Sequence, residues 1–229
     1  MVGVPSNTSA ESAAKIMGRA FIKIEEVLEL LPKAKNEIDP EDYQTVPFSP
    51  RLLYHLNEKG MNCVLFPAIP CYPDPGFENW PDKEKGVWTI LKIQDFFEKY
   101  FPEVVFNKGV LSLIALNALK KNFAPAKWYL ISARVMPKKT SLDIPPIGHL
   151  PYKLERSLVY IYAWLLFWRL RGISLFNGKI FPCSDYFGAG GGIETVLHFA
   201  DLEILIGGNN HDIRPFIGKV PSIIPFEQK

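Results

Sequence analysis

The residue types that could do chemistry are concentrated in one stretch, Phe181 to Asp201, with the sequence FPCSDYFGAGGGIETVLHFAD. It contains a thiol at Cys183, a carboxylate at Asp185 and an imidazole at His198, and a second imidazole follows at His211. A cysteine becomes a nucleophile when a neighbouring base, usually a histidine, lowers its pKa, and a carboxylate can orient that base. One hypothesis is therefore a hydrolase or acyl-transfer enzyme in which Cys183 acts with His198 or His211.

The histidines also raise the hypothesis of a metal-dependent hydrolase. His198 and Asp201 are three residues apart, and His211 is followed directly by Asp212. Zinc and iron accept such ligands. However, the sequence around His198 alternates as a strand does, and residues three apart on a strand face opposite sides of the sheet. The sequence therefore predicts no metal site, and nothing in it indicates a cofactor.

A run of glycines in the same stretch resembles a phosphate-binding loop only in composition. The spacing of Gly188, Gly190 and Gly191 matches neither GxGxxG nor GxxxxGK[ST], and the following IETVLHF has the pattern of a strand rather than of a helix. We expect a turn between two strands, where glycine permits close approach of a ligand. Together with Trp80, from a proline-rich loop over 70–86, these glycines are the predicted ligand-binding residues.

Helical patterns dominate the first half of the chain. Ser9 or Ser12 can cap a first helix whose apolar residues recur every three or four positions as far as Leu31, and Pro50 suits the first position of a second helix. Apolar stretches at 61–69 and 126–137, the second rich in β-branched and aromatic residues, predict strands.

The longest helix is predicted over 152–172 and is apolar nearly all round its middle turns, so it should be central. Beyond it, Asn177 and Gly178 lie between two apolar runs and predict a tight hairpin. Alternation from Ile193 to Ile206 predicts another hairpin. This distribution indicates the α+β class, with a helical N-terminal half packed on a mainly antiparallel sheet formed largely by the C-terminal half.

Composition narrows the classes of function. Twenty-six basic and 24 acidic residues give a net charge of +2, which provides no pull toward nucleic acid. The apolar run from Ser157 to Trp168 is shorter than the roughly 20 residues that span a bilayer, so no transmembrane segment is expected. Three cysteines without a CxxC pair favour a reducing, cytoplasmic setting. We expect a flexible tail over 1–10 and a single domain over 11–229.

No catalytic family motif accompanies these features, so the leading expectation is a binding protein. Aromatic residues make up 13% of the chain, and two proline-rich loops interrupt its regular elements. Aromatic side chains are enriched at contact sites. The sequence therefore predicts a soluble protein that binds a protein partner or a small molecule, with the two hydrolase hypotheses as alternatives. It leaves open whether the chain forms a homo-oligomer.

Overall fold

The computed structural model describes residues 7–31, 34–58, 62–70, 102–107, 127–136, 143–144, 148–149, 152–187, 193–200, 203–208, 220 and 222–223. Within these residues the α-helices are α1 (Ala10–Met17), α2 (Ile24–Leu30), α3 (Pro50–Glu58) and α4 (Ser157–Arg171). The strands are β1 (Thr8–Ser9), β2 (Thr45–Val46), β3 (Cys63–Pro67), β4 (Val105–Asn107), β5 (Trp128–Ser132), β6 (Asp143–Ile144), β7 (Gly148–His149), β8 (Tyr152–Lys153), β9 (Phe181–Phe187), β10 (Ile193–Ala200), β11 (Glu203–Gly208) and β12 (Ser222–Ile223).

These elements form the predicted α+β fold. The first sheet has the strand order β3-β5-β12-β8 and is antiparallel, whereas the second sheet has the order β4-β11-β10-β9. In the second sheet β9, β10 and β11 are antiparallel neighbours, and β4 joins β11 in parallel. Strands β1 and β2, and β6 and β7, form two small separate pairs. The helices α1 to α3 precede both sheets in the chain.

The first helical stretch differs from its prediction. Ser9 caps α1, since its side chain accepts a hydrogen bond from the Ser12 backbone N–H, but the helix ends at Gly18. Gly18 has a φ of +54°, which an L-residue rarely adopts. Phe21 then forms a parallel bridge with Leu65 of β3. The prediction of one continuous helix to Leu31 is wrong because the chain turns here to join the first sheet, and α2 begins only afterwards.

The first sheet is covered on both faces. Phe66 of β3 pairs with Tyr129 of β5, so the neighbouring Trp128 points to the opposite face. On one face the ring of Phe66 meets Phe167 of α4 at 6.3 Å. On the other face Trp128 stacks on Phe21 at 5.5 Å. The N-terminal segment and α4 therefore enclose this sheet between them.

Helix α4 is also the layer between the two sheets. Residues 157–167 of this helix are all buried, as its apolar circumference predicts. Towards the second sheet, Trp164 stacks on Phe199 at 5.6 Å, and Tyr160 meets Phe181 edge-on at 5.1 Å. Among the described residues, no helix is both long enough and apolar enough to cross a membrane.

An ion pair connects the N-terminal helices to the end of α4. The guanidinium of Arg171 donates to both carboxylate oxygens of Glu26, at 2.8 and 2.7 Å, and also to the carbonyl of Phe21 at 2.8 Å. In α1 and α2 the apolar residues Ala13, Ile16, Met17, Ile24, Val27 and Leu28 are buried. Both helices therefore belong to the core.

The two hairpin predictions have opposite outcomes. Strands β10 and β11 form the predicted hairpin, with Ala200 opposite Glu203. At Asn177-Gly178 the prediction is wrong, because Phe176–Gly178 is a 3-10 turn. Phe176 has a φ of +69°, a conformation that costs a bulky residue about 1–3 kcal/mol. Its backbone N–H bonds the carbonyl of Ala133 at 2.8 Å, and its buried ring packs on Phe181 and Phe199, so tertiary contacts override the local turn preference.

Candidate functional site

The predicted nucleophile lies inside the protein. Cys183 is on β9 and is 0% exposed. Phe181 of the same strand is also fully buried and stands opposite Leu197 of β10, which faces the core. Pro182 and Cys183, which follow Phe181, are buried as well. The thiol is not part of a disulfide.

The pairing of β9 and β10 is irregular beside this cysteine. The register shifts between Glu194 and Val196, so that the three residues 183–185 stand opposite Thr195. Such a bulge turns side chains away from simple alternation. Ser184 is exposed here, and its backbone N–H donates to the Glu155 carbonyl at 2.8 Å. The backbone of Asp185 belongs to β9, and its side chain lies outside the described part of the structure.

His198 is held by a backbone carbonyl. Its Nε2 lies 2.7 Å from the carbonyl oxygen of Gly178, and because that oxygen can only accept, Nε2 carries the proton. His198 follows Leu197 on β10, so its side chain projects from the face opposite to Leu197 and Phe181. Cys183 lies in the bulge, where alternation does not assign its face, but its complete burial distinguishes it from the half-buried His198. These positions favour structural roles for both, and their catalytic pairing stays a prediction.

The remaining predicted site residues lie outside the described residues: His211, Gly188, Gly190, Gly191 and Trp80. In the sequence, strands β9 and β10 flank the glycine run. In the part of the chain that the structure describes, no group of three His, Cys, Asp or Glu side chains is arranged to hold a metal ion.

Below the bulge, Glu155 is a buried carboxylate at the junction of the two sheets. The residue is 4% exposed, and its backbone N–H donates to the hydroxyl of Tyr160 at 2.8 Å. The ammonium of Lys153 lies 3.0 Å from Glu155 Oε1, yet this oxygen accepts no hydrogen bond of acceptable geometry from the described residues. The contact is therefore an ion pair without directional bonding. Because its carbonyl accepts the hydrogen bond from the Ser184 N–H, Glu155 links β9 to the first sheet.

A second cluster, on the outer face of the first sheet, was not singled out from the sequence. We define the Trp128 box as Phe21, Tyr43, Ala68 and Trp128. Phe21 stacks on Trp128, while Tyr43 meets the indole at 6.2 Å with an interplanar angle of 64°. The hydroxyl of Tyr43 donates to the carbonyl of Ala68 at 3.3 Å. These elements enclose the indole at the end of the β3–β5 pair, where Trp128 stands opposite Pro67.

Among the described residues, the indole N–H of Trp128 has no acceptor. Trp128 is 5% exposed, and its Nε1 is a buried polar atom without a hydrogen-bond partner. For comparison, Nε1 of the fully buried Trp164 reaches the hydroxyl of Ser174 at 3.4 Å. A buried donor without an acceptor costs about 1–3 kcal/mol. Most buried polar groups of native proteins are paired, so this one calls for an explanation.

Charged residues lie at the rim of the Trp128 box. The ammonium of Lys127 is 5.8 Å from the centre of the Tyr43 ring and forms an ion pair with Asp42 at 3.3 Å. Both side chains are more than half exposed. The box thus combines aromatic walls, an unpaired donor inside and a cation at its edge.

The sequence contains only part of this information. The sequence places Trp128 in the predicted strand over 126–137, but Phe21 and Tyr43 reach it from segments 107 and 85 residues away. No local spacing connects them. Comparison with protein-family models, with curated proteins and with solved structures finds no match to this chain.

Proposed function

We propose that this protein binds a small molecule in the Trp128 box. The observation that carries the proposal is the indole N–H of Trp128, which is buried and has no acceptor among the residues that the structure describes. A ligand that offers a carbonyl or carboxylate oxygen would supply the missing partner. Such a bond recovers part of the roughly 1–3 kcal/mol that the unpaired donor costs.

The composition of the box supports a small ligand. Sites for small molecules are lined mainly by aromatic and apolar side chains, with a few placed polar groups that fix orientation. Here Phe21 and Tyr43 provide the apolar walls, and Trp128 Nε1 provides the polar group. The aromatic character of these walls favours a ligand that itself carries a ring, since contacts between aromatic rings add about 0.5–1.5 kcal/mol beyond the area that they bury.

A protein partner has less support from the described surface. The large apolar side chains exposed on the described residues are Tyr54 of α3 and Val105 of β4. Single exposed apolar residues are normal for a monomer, whereas interaction surfaces usually present contiguous patches. A small molecule is therefore the form of the binding hypothesis that we favour.

The proposal can be tested with the indole resonances of the protein. The chain has five tryptophans, and Trp128→Phe identifies the Trp128 indole N–H signal in a proton–nitrogen correlation spectrum. Titration with a library of small aromatic carbonyl compounds should move this signal downfield, because a hydrogen bond to oxygen deshields the proton. Binding, measured by calorimetry, should be lost in Trp128→Phe.

Trp164→Phe is the matched control, because it makes the same chemical change at an indole whose Nε1 already reaches Ser174. It should bind the same compounds as the native protein. If no compound shifts the Trp128 signal, the indole is served by water alone and the proposal is wrong. Equal loss of binding in both variants would also reject it, because the effect would then come from general loosening of the fold.

A further inference from the structure

Resting on the proposed function, we infer that the ligand of the Trp128 box is an aromatic anion, and that Lys127 selects it by charge. The inference goes beyond small-molecule binding because it names the ionic class of the ligand. It rests on the position of the Lys127 ammonium at the rim of the box, next to the wall formed by Tyr43.

Tyr43 connects the charge to the unpaired donor. One ring contacts both groups: its centre is 5.8 Å from Lys127 Nζ and 6.2 Å from the centre of the Trp128 ring. A ligand beside Tyr43 would meet the indole ring that carries the neutral donor and the positive charge of Lys127. A carboxylate has two acceptor oxygens and a negative charge, whereas a neutral amide offers one acceptor oxygen and no charge.

The present partner of Lys127 is weakly held. Its ammonium lies 3.3 Å from the Asp42 carboxylate and 3.4 Å from the Asp42 carbonyl, and the two side chains are 58% and 64% exposed. Exposed pairs of this kind contribute about 0.2–1 kcal/mol, so an incoming anion can compete for Lys127 at small cost. Asp42 then competes with the ligand for Lys127, because both carry a negative charge.

Benzoate and benzamide are suitable probes, because they share a ring and a carbonyl and differ in charge. Both should shift the Trp128 indole signal, and benzoate should bind about two- to fivefold more tightly, as expected for one exposed charge interaction. Added salt should reduce the advantage of benzoate and leave benzamide unaffected, because screening acts on the charge interaction alone.

Two exposed substitutions test the selecting role without disturbing the core. Lys127→Gln should remove the preference for benzoate, and Asp42→Asn should increase it, each measured as the ratio of the benzoate and benzamide affinities. The matched control is Lys15→Gln, since Lys15 is an exposed lysine with a carboxylate partner, Glu11, on the unrelated helix α1. It should preserve the preference.

The possible results separate this inference from the proposed function. If both probes bind equally and Lys127→Gln changes nothing, the ligand class is wrong while small-molecule binding stands. If neither probe moves the Trp128 signal and the wider library also fails, the proposed function falls and the inference falls with it. A preference for benzoate that survives Lys127→Gln would also overturn the inference, because another group would then supply the charge.

Discussion

The β9–β10 region and the Trp128 box differ in how their polar groups are used. The first holds the reactive residue types, but Cys183 is buried and His198 is bonded to the Gly178 carbonyl. The Trp128 box has no residue type that suggests catalysis, yet it contains a buried donor without an acceptor. A reactive side chain that is buried or already hydrogen-bonded is less able to bind a ligand than an unreactive side chain whose donor has no acceptor.

Reactivity of Cys183 is the largest expected difference between the two regions. Because its thiol is fully buried, we expect iodoacetamide to label Cys183 at least about a hundredfold more slowly in the native protein than in urea, where the chain is open. Mass mapping of the labelled peptides separates the cysteines. Cys63 is an internal control, since burial raises its pKa to about 12 and suppresses the reactive thiolate.

Rapid native labelling of Cys183, with Cys63 still protected, would reverse the comparison. It would show that the bulge of β9 opens readily, and it would support the hypothesis that Cys183 is a nucleophile. Slow labelling of both cysteines leaves Cys183 as a packing residue.

The two buried tryptophans should differ in their contribution to stability. Trp164→Phe removes a fully buried indole that stacks on Trp168 and Phe199, and it also removes the contact of Nε1 with Ser174. Trp128→Phe removes a donor that has no partner among the described residues. The cost of burying that donor, about 1–3 kcal/mol, therefore disappears and offsets part of the packing loss. Urea unfolding should therefore show the larger destabilisation for Trp164→Phe. The opposite order would mean that the Trp128 N–H is satisfied in solution.

The ion pair of Glu26 and Arg171 should make one wall of the Trp128 box sensitive to acid. Burial raises the pKa of Glu26, but the bonds from Arg171 and from the Lys23 backbone outweigh it, so the pKa lies below its usual 4.5. A lowered pKa in the folded state contributes stability above the usual value, which is lost as the pH falls through the folded pKa. We expect unfolding free energy to decline below about pH 4.5, where the carboxylate begins to protonate.

Glu26→Gln should remove this part of the pH dependence and cost about 1 kcal/mol at neutral pH, as expected for a partly exposed pair. Because Arg171 also bonds the Phe21 carbonyl, the Trp128 indole signal should shift in the variant, whereas labelling of Cys183 should not change. Glu11→Gln is the control: the bond from Lys15 also lowers the pKa of Glu11, but that pair is exposed. Equal effects of the two variants would contradict a special role for Glu26.

Much of the architecture could be predicted from local patterns. Apolar periodicity located α4, the proline at position 50 located α3, and alternation located the β10–β11 hairpin. These features depend on neighbouring residues, so the sequence displays them directly.

The errors and omissions arose where distant segments decide the structure. The first helix ends at Gly18 because Phe21 joins β3. The turn at Phe176 is fixed by its hydrogen bond to the carbonyl of Ala133 and by contacts between aromatic rings. The Trp128 box likewise depends on contacts across more than 80 residues. Residue types indicated where chemistry was conceivable, but the pairing of each polar group could be determined only from the fold.

The smallest predicted effect concerns the bond between His198 and Gly178. His198→Gln can place an amide N–H near the position of Nε2 and retain the bond, whereas His198→Leu removes it. Urea unfolding should therefore show His198→Leu to be less stable than His198→Gln by about 0.5–1.5 kcal/mol, the usual net value of one hydrogen bond. The carbonyl belongs to a turn that already bears the positive φ of Phe176, so losing its donor should loosen that turn. If both variants are equally stable, the bond contributes nothing to the fold, and the imidazole of His198 is then available for the catalytic role that its sequence position suggested.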